Sequence, residues 1–141
     1  MTTRSASTTL VDDQTLSRLR PGEASWPEGR VFTTGLWSLR PCQAVVRCTG
    51  GALSKPLPAL PRGRRGVGLC AVLELPARVE MLQWRHVAPT MAGQLDGPSR
   101  GLNLLSREAL AAASLLQAQV VMAAGNEDHL LRTALRTVGP A

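Results

Sequence analysis

The stretch SREALAAASLLQAQVVMAAGN, residues 106–126, decides how the rest of the chain is read. Residues 109–125 carry no charge. At about 100° per residue, Ala109, Ala113, Leu116, Val120 and Ala123 line up as one stripe. Leu110, Leu115, Val121 and Met122 lie on its flanks. The pattern predicts a helix apolar nearly all round, capped by Ser106, with Glu108 in a first turn where the helix dipole favours an anion. Gly125 suits the position after its end, and Asn126 caps a second helix with Glu127 and Asp128 in its first turn. There Leu131, Ala134, Leu135 and Val138 face inward, Asp128 pairs with Arg132, and Gly139-Pro140 ends the run. The expectation is a C-terminal helical hairpin over about residues 106–138.

Upstream, residues 30–100 carry strand signals. Val31–Leu39 is rich in β-branched and aromatic residues. Gln43–Thr49 alternates, with Ala44, Val46 and Cys48 on one face, and Gly50-Gly51 reads as a hairpin turn. Residues 55–66, KPLPALPRGRRG, hold too much proline for a central strand and read as a stiff connector. Val67–Leu75 alternates again until Pro76, and Ala77–Val87 continues as a strand that changes face at Leu82 and Trp84. Residues 88–101 read as a loop. Residues 1–29 read as a flexible N-terminal arm, holding a short helix near Asp12–Leu19 capped by Asp12 or Asp13. Strands followed by helices predict one small α+β domain over residues 30–141. Its antiparallel sheet, at about 30–90, would be packed by the hairpin.

The 141 residues carry 16 Lys and Arg against 10 Asp and Glu, a net charge of +6, and 44% are hydrophobic. That balance excludes a disordered polyelectrolyte. Ile and Tyr are absent, Phe32 is the one Phe and Lys55 the one Lys, a skew that follows GC-rich codons. The core must therefore come from Leu, Val, Ala, Met and Trp. Cys42, Cys48 and Cys70 are odd in number with no apolar leader before them, so reduced thiols in the cytoplasm are expected. The uncharged run 109–125 is broken by Ser114, Gln117 and Gln119 and falls short of the about 20 apolar residues a bilayer needs. No membrane span is expected.

Chemical constellations are missing from the pattern. Cys42 and Cys48 lack metal-ligand spacing, and His86 and His129 stand alone, so neither metal nor other cofactor is expected. Cys70, His86 and Asp96 could be drawn as a catalytic set, but without any specific spacing. Glu74 and Glu80 are expected to pair with Arg78. The first expectation is a non-enzymatic protein-interaction module: an adaptor, chaperone or accessory subunit. A helix apolar nearly all round needs more surface than a small sheet offers. Docking onto a protein partner, or self-association, is therefore assigned to Leu116, Val120, Ala109, Ala113 and Ala123. The alternative is nucleic-acid binding. Residues 30–100 hold ten cations against three acids, net +7; Arg62, Arg64 and Arg65 would meet phosphates, with Trp37 and Trp84 stacking on bases. A small enzyme with an unfamiliar site is the third reading.

Overall fold

The computed structural model describes residues 7–20, 22, 24–47, 63, 74–124 and 129–138. Its strands are β1 (Thr8–Val11), β2 (Arg30–Thr34), β3 (Val79–Leu82) and β4 (Gln119–Val121). Its helices are α1 (Asp13–Leu19), α2 (Gly35–Arg47), α3 (Trp84–Gln94), α4 (Leu104–Leu116) and α5 (His129–Val138). The strands form one sheet in the order β3-β2-β1-β4, and every pairing is parallel. The fold is α/β, which corrects the expectation of an antiparallel sheet. The cause lies in the connections: each described strand leads into a helix, and a chain that crosses over through a helix lays its next strand parallel.

The central strand comes from the region read as an arm. Thr8–Val11 lies between β2 and β4, with Leu10 facing Phe32 on one side and Val120 on the other. Asp12 caps α1 as expected, its Oδ1 accepting from the Thr15 amide at 2.8 Å. Gly29 holds a φ of +81° just before β2. A Cβ there would collide with the Ser7 carbonyl, the group that accepts the Arg30 amide at 3.0 Å.

Three further expectations change. Val31–Leu39 and Gln43–Thr49 are not two strands, because β2 stops at Thr34 and residues 35–47 are helical. Trp37, Pro41 and Ala44 are buried in α2, a spacing that fits one helix face as well as alternation fits a strand. Ala77–Val87 divides into β3 and the start of α3, and α3 continues through Gln94 into the stretch read as a loop. The turn at Gly50-Gly51, the connector at 55–66 and most of Val67–Leu75 lie outside the described residues.

The long C-terminal helix is also shorter than its stripe. Asn103, not Ser106, is the cap of α4: its side chain accepts the Ser106 amide at 2.9 Å. The helix ends where Gln117 turns left-handed at φ +50°. The Gln117 amide bonds the Ser114 carbonyl at 3.4 Å and the Ala118 amide bonds the Ala113 carbonyl at 3.0 Å, the paired closure of a Schellman motif. Two residues after Gln117 the chain is already a strand.

Both faces of the sheet are covered. Leu10 and Phe32 point to the larger core, built with Trp37, Val87, Met91, Leu102, Leu131 and the run Ala109–Ala113. Val11 and Val31 point to the smaller one, with Leu16, Leu19 and Val79. The consecutive buried apolar residues of α4, Ala109–Ala113, are four alanines and Leu110. Small side chains all round let α4 sit between α3, α5 and the sheet.

Candidate functional site

In an open parallel sheet, ligands generally meet the crevice at the carboxyl ends of the strands, beside the strand where the order reverses. Here that strand is β1, with β2 on one side and β4 on the other. Asp12 follows β1 and is fully buried. Besides capping α1, it accepts the Ala123 amide on Oδ2 at 3.2 Å, and its own amide bonds the Val121 carbonyl at 3.2 Å. One side chain therefore caps a helix and clasps the end of β4. Asp13, equally buried, lies 3.3 Å from the Arg40 guanidinium and ties α1 to α2.

Glu108 is the third buried acid at this edge. It projects from α4 onto the start of α2 and accepts the Leu36 amide at 2.9 Å, while Thr34 Oγ1 accepts the Trp37 amide at 3.2 Å. A carboxylate at a helix N-terminus is favoured by the dipole and by the amides it receives. Burial pushes the Glu108 carboxyl above the usual glutamate range; hydrogen bonds with Leu36, Thr34 and Gly35 pull it back. Gly35 makes room for this contact, since a Cβ there would lie 3.3 Å from Glu108 Oε1 and 3.5 Å from the Trp84 ring. These acids hold the ends of strands and helices together. Among the described residues, no group of three or more His, Cys, Asp and Glu is placed to hold a metal ion.

A different geometry lies at the β4 margin. An open groove of about 690 Å³ runs between β4 and α5, floored by Ala113, Val120 and Met122 and walled by Leu135, Val138, Arg132 and Arg136. Val121 accepts the Asp12 amide, so its polar backbone groups face β1. In a parallel strand, neighbouring residues direct those groups to opposite sides, which turns the amides and carbonyls of Val120 and Met122 outward. Among the described residues, no strand pairs with that outer side.

The predicted docking residues divide between these environments. Ala109, Ala113 and Ala123 are buried in the chain's own core, so no all-round apolar helix awaits a partner. Leu116 packs partly buried against the larger core. Val120 belongs to β4 rather than to a helix, and it lines the groove with Ala113. Of the nucleic-acid alternative, Trp37 is only 2% exposed and presents no ring for stacking, whereas Trp84 is 42% exposed. Arg62, Arg64 and Arg65 lie outside the described residues. Glu80 pairs with Arg30 at 2.8 Å, not with Arg78, whose guanidinium lies over the Trp26 ring.

Sequence reading missed Asp12 as a clasp and Glu108 as a buried acid. Their partners are 111 and 72 residues away, so no local spacing announces them. No helix among the described residues is long and apolar enough to cross a membrane. The sequence matches no known protein-family model and no curated protein.

Proposed function

We propose that this chain is a non-enzymatic protein-interaction module, working in the cytoplasm, that receives its partner in the groove between β4 and α5. The observation carrying this reading is the outer side of β4: an apolar floor beside a strand margin with no neighbour among the described residues. Apolar grooves of this kind are where soluble proteins accept other chains. The carboxyl edge of the sheet supports a ligand site less well, because its buried acids are engaged in holding the fold. The Cys42 thiol, which donates to the Ser38 carbonyl, suits a reducing compartment.

A photo-crosslinking residue placed at Gln119, in the groove, and separately at exposed Arg85, on α3, tests the reading in living cells. A discrete adduct is expected from Gln119 alone, and it should vanish when Arg136→Glu is added, a change at an exposed position of the groove wall. The same adducts from both positions, or none from Gln119, would refute the assignment.

A further inference from the structure

We infer that Met81 is a site of oxidation by peroxide, built so that the oxygen arrives on one face of the sulfur and yields one sulfoxide epimer. The site lies on β3, at the opposite edge of the sheet from β4, and is independent of the docking reading.

Access comes first. Met81 is 45% exposed, whereas Met91, on α3, is 8% exposed and packed in the larger core. Met81 lines an open cavity of about 480 Å³ together with Leu36, Ser38, Leu39 and Trp84. A thioether needs no deprotonation before it reacts, so reach decides which methionine a small peroxide meets first.

Orientation is the second feature. The backbone at Met81 is fixed by its parallel pairing with Thr33, but the three rotatable bonds of a methionine would still let its sulfur turn. Ser38, on α2, holds that sulfur. Its Oγ donates to Met81 Sδ at 3.3 Å and also to the Gly35 carbonyl at 2.8 Å. The single hydroxyl proton is shared between these acceptors, yet the oxygen stands against the sulfur in either orientation. It covers one lone pair of the thioether and leaves the other for the cavity.

That open lone pair attacks one oxygen of the peroxide. The S–O bond forms as the O–O bond breaks, and the proton of the transferred oxygen passes to the departing hydroxide, giving water. Sulfur loses two electrons and the peroxide gains them. The product places a strong acceptor among Leu36, Leu39 and Trp84, so an apolar patch becomes polar. Each class of methionine sulfoxide reductase accepts one epimer, so a single-handed product is reversed by one class alone.

The test treats the full chain with hydrogen peroxide, digests it, and follows each methionine by mass spectrometry. The released peptides are then offered to the two reductase classes separately. Met81 is expected to oxidise at least about fivefold faster than Met91, the ratio of their exposures. One class should repair most of the Met81 sulfoxide and the other little of it. Ser38→Ala should bring the two classes toward equal shares. Oxidation of the wild-type chain in urea should do the same, since no fold then orients the sulfur, and this arm is independent of how Ser38→Ala folds.

Met91 oxidising as fast as Met81 in the native chain would overturn the site. Equal epimers from native Met81 would remove the facial selection, and so would an excess that Ser38→Ala leaves unchanged. An excess that persists in urea would trace it to the local sequence and refute the part given to the fold.

Discussion

The two sides of β4 present opposite solutions to the same problem of exposed backbone. On the inner side, toward β1, the Val121 carbonyl takes the Asp12 amide and the Ala123 amide meets the Asp12 carboxylate. On the outer side, the polar groups of Val120 and Met122 look across an apolar groove edged by arginine. Buried polarity is tolerated where each group is matched, and mismatches there cost stability. Apolar surface beside backbone groups that no described strand pairs is tolerable only at the margin of the sheet. Variants on the two sides should therefore report different properties: folding on one, binding on the other.

The largest effect is expected at Asp12. Asp12→Ala orphans the Thr15 and Ala123 amides together, and should cost about 2–4 kcal/mol in urea unfolding followed by tryptophan fluorescence. Asp12→Asn retains a capping oxygen and should cost less. Equal stability of wild type and Asp12→Ala would break the claim that this side is structural.

Glu108 comes next. Glu108→Ala leaves the Leu36 amide without its acceptor and should cost about 1–3 kcal/mol, whereas Glu108→Gln keeps an oxygen for it. The pH dependence distinguishes the acid from its isostere. Burial raises the folded carboxyl above its unfolded value, so the folded chain holds this proton more tightly. Stability from this group is full below the unfolded value and declines as pH rises through the folded one. Glu80 acts oppositely: its hydrogen bond to Arg30 lowers its value, so its contribution is lost as pH falls. The quantity to measure is thus the difference between wild type and Glu108→Gln across the acid range. That difference should shift in favour of Glu108→Gln as pH rises; a flat difference would mean the buried acid titrates as an ordinary one.

What could be read from the sequence follows from the range of each interaction. The α1 cap was legible because Asp12 and Thr15 are three residues apart, and the inward face of α5 because Leu131, Ala134, Leu135 and Val138 repeat at helical spacing. The sheet was harder. β1 is four residues long and begins with two threonines, which resemble a polar tail although their β-branched side chains suit a strand. Residues 43–49 alternate for too few positions to separate strand from helix, and Trp37, Pro41 and Ala44 satisfy the helix. β4 was hidden most completely: Val120 continues the stripe of Ala109 and Ala113 in phase, so periodicity alone carries the helix through it. The break is made by Gln117, where glycine is the usual marker. Adjacent Val120 and Val121 were the remaining signal for a strand.

On the outer side, Arg136→Glu should leave urea stability within about 0.5 kcal/mol of wild type while abolishing the Gln119 adduct, as expected of an exposed position. A loss comparable to that of Asp12→Ala would instead place the groove among the structural parts of the fold.

The smallest effect belongs to the joint between α4 and β4. Gln117 adopts a left-handed conformation that disfavours a side chain, and its amide group recovers part of that cost by donating to the Ser114 carbonyl at 2.8 Å. Gln117→Gly removes the strain and the side-chain bond together, and also gives the unfolded chain more freedom. Because the bond is exposed, the strain term should prevail, stabilising the chain by about 0.5 kcal/mol. The Schellman bonds are main-chain and survive the change, so the outward direction of Val120 and Met122 should persist, and with it the Gln119 adduct. Loss of the adduct in a more stable Gln117→Gly chain would show that the joint, and not only the groove wall, sets the geometry of this margin.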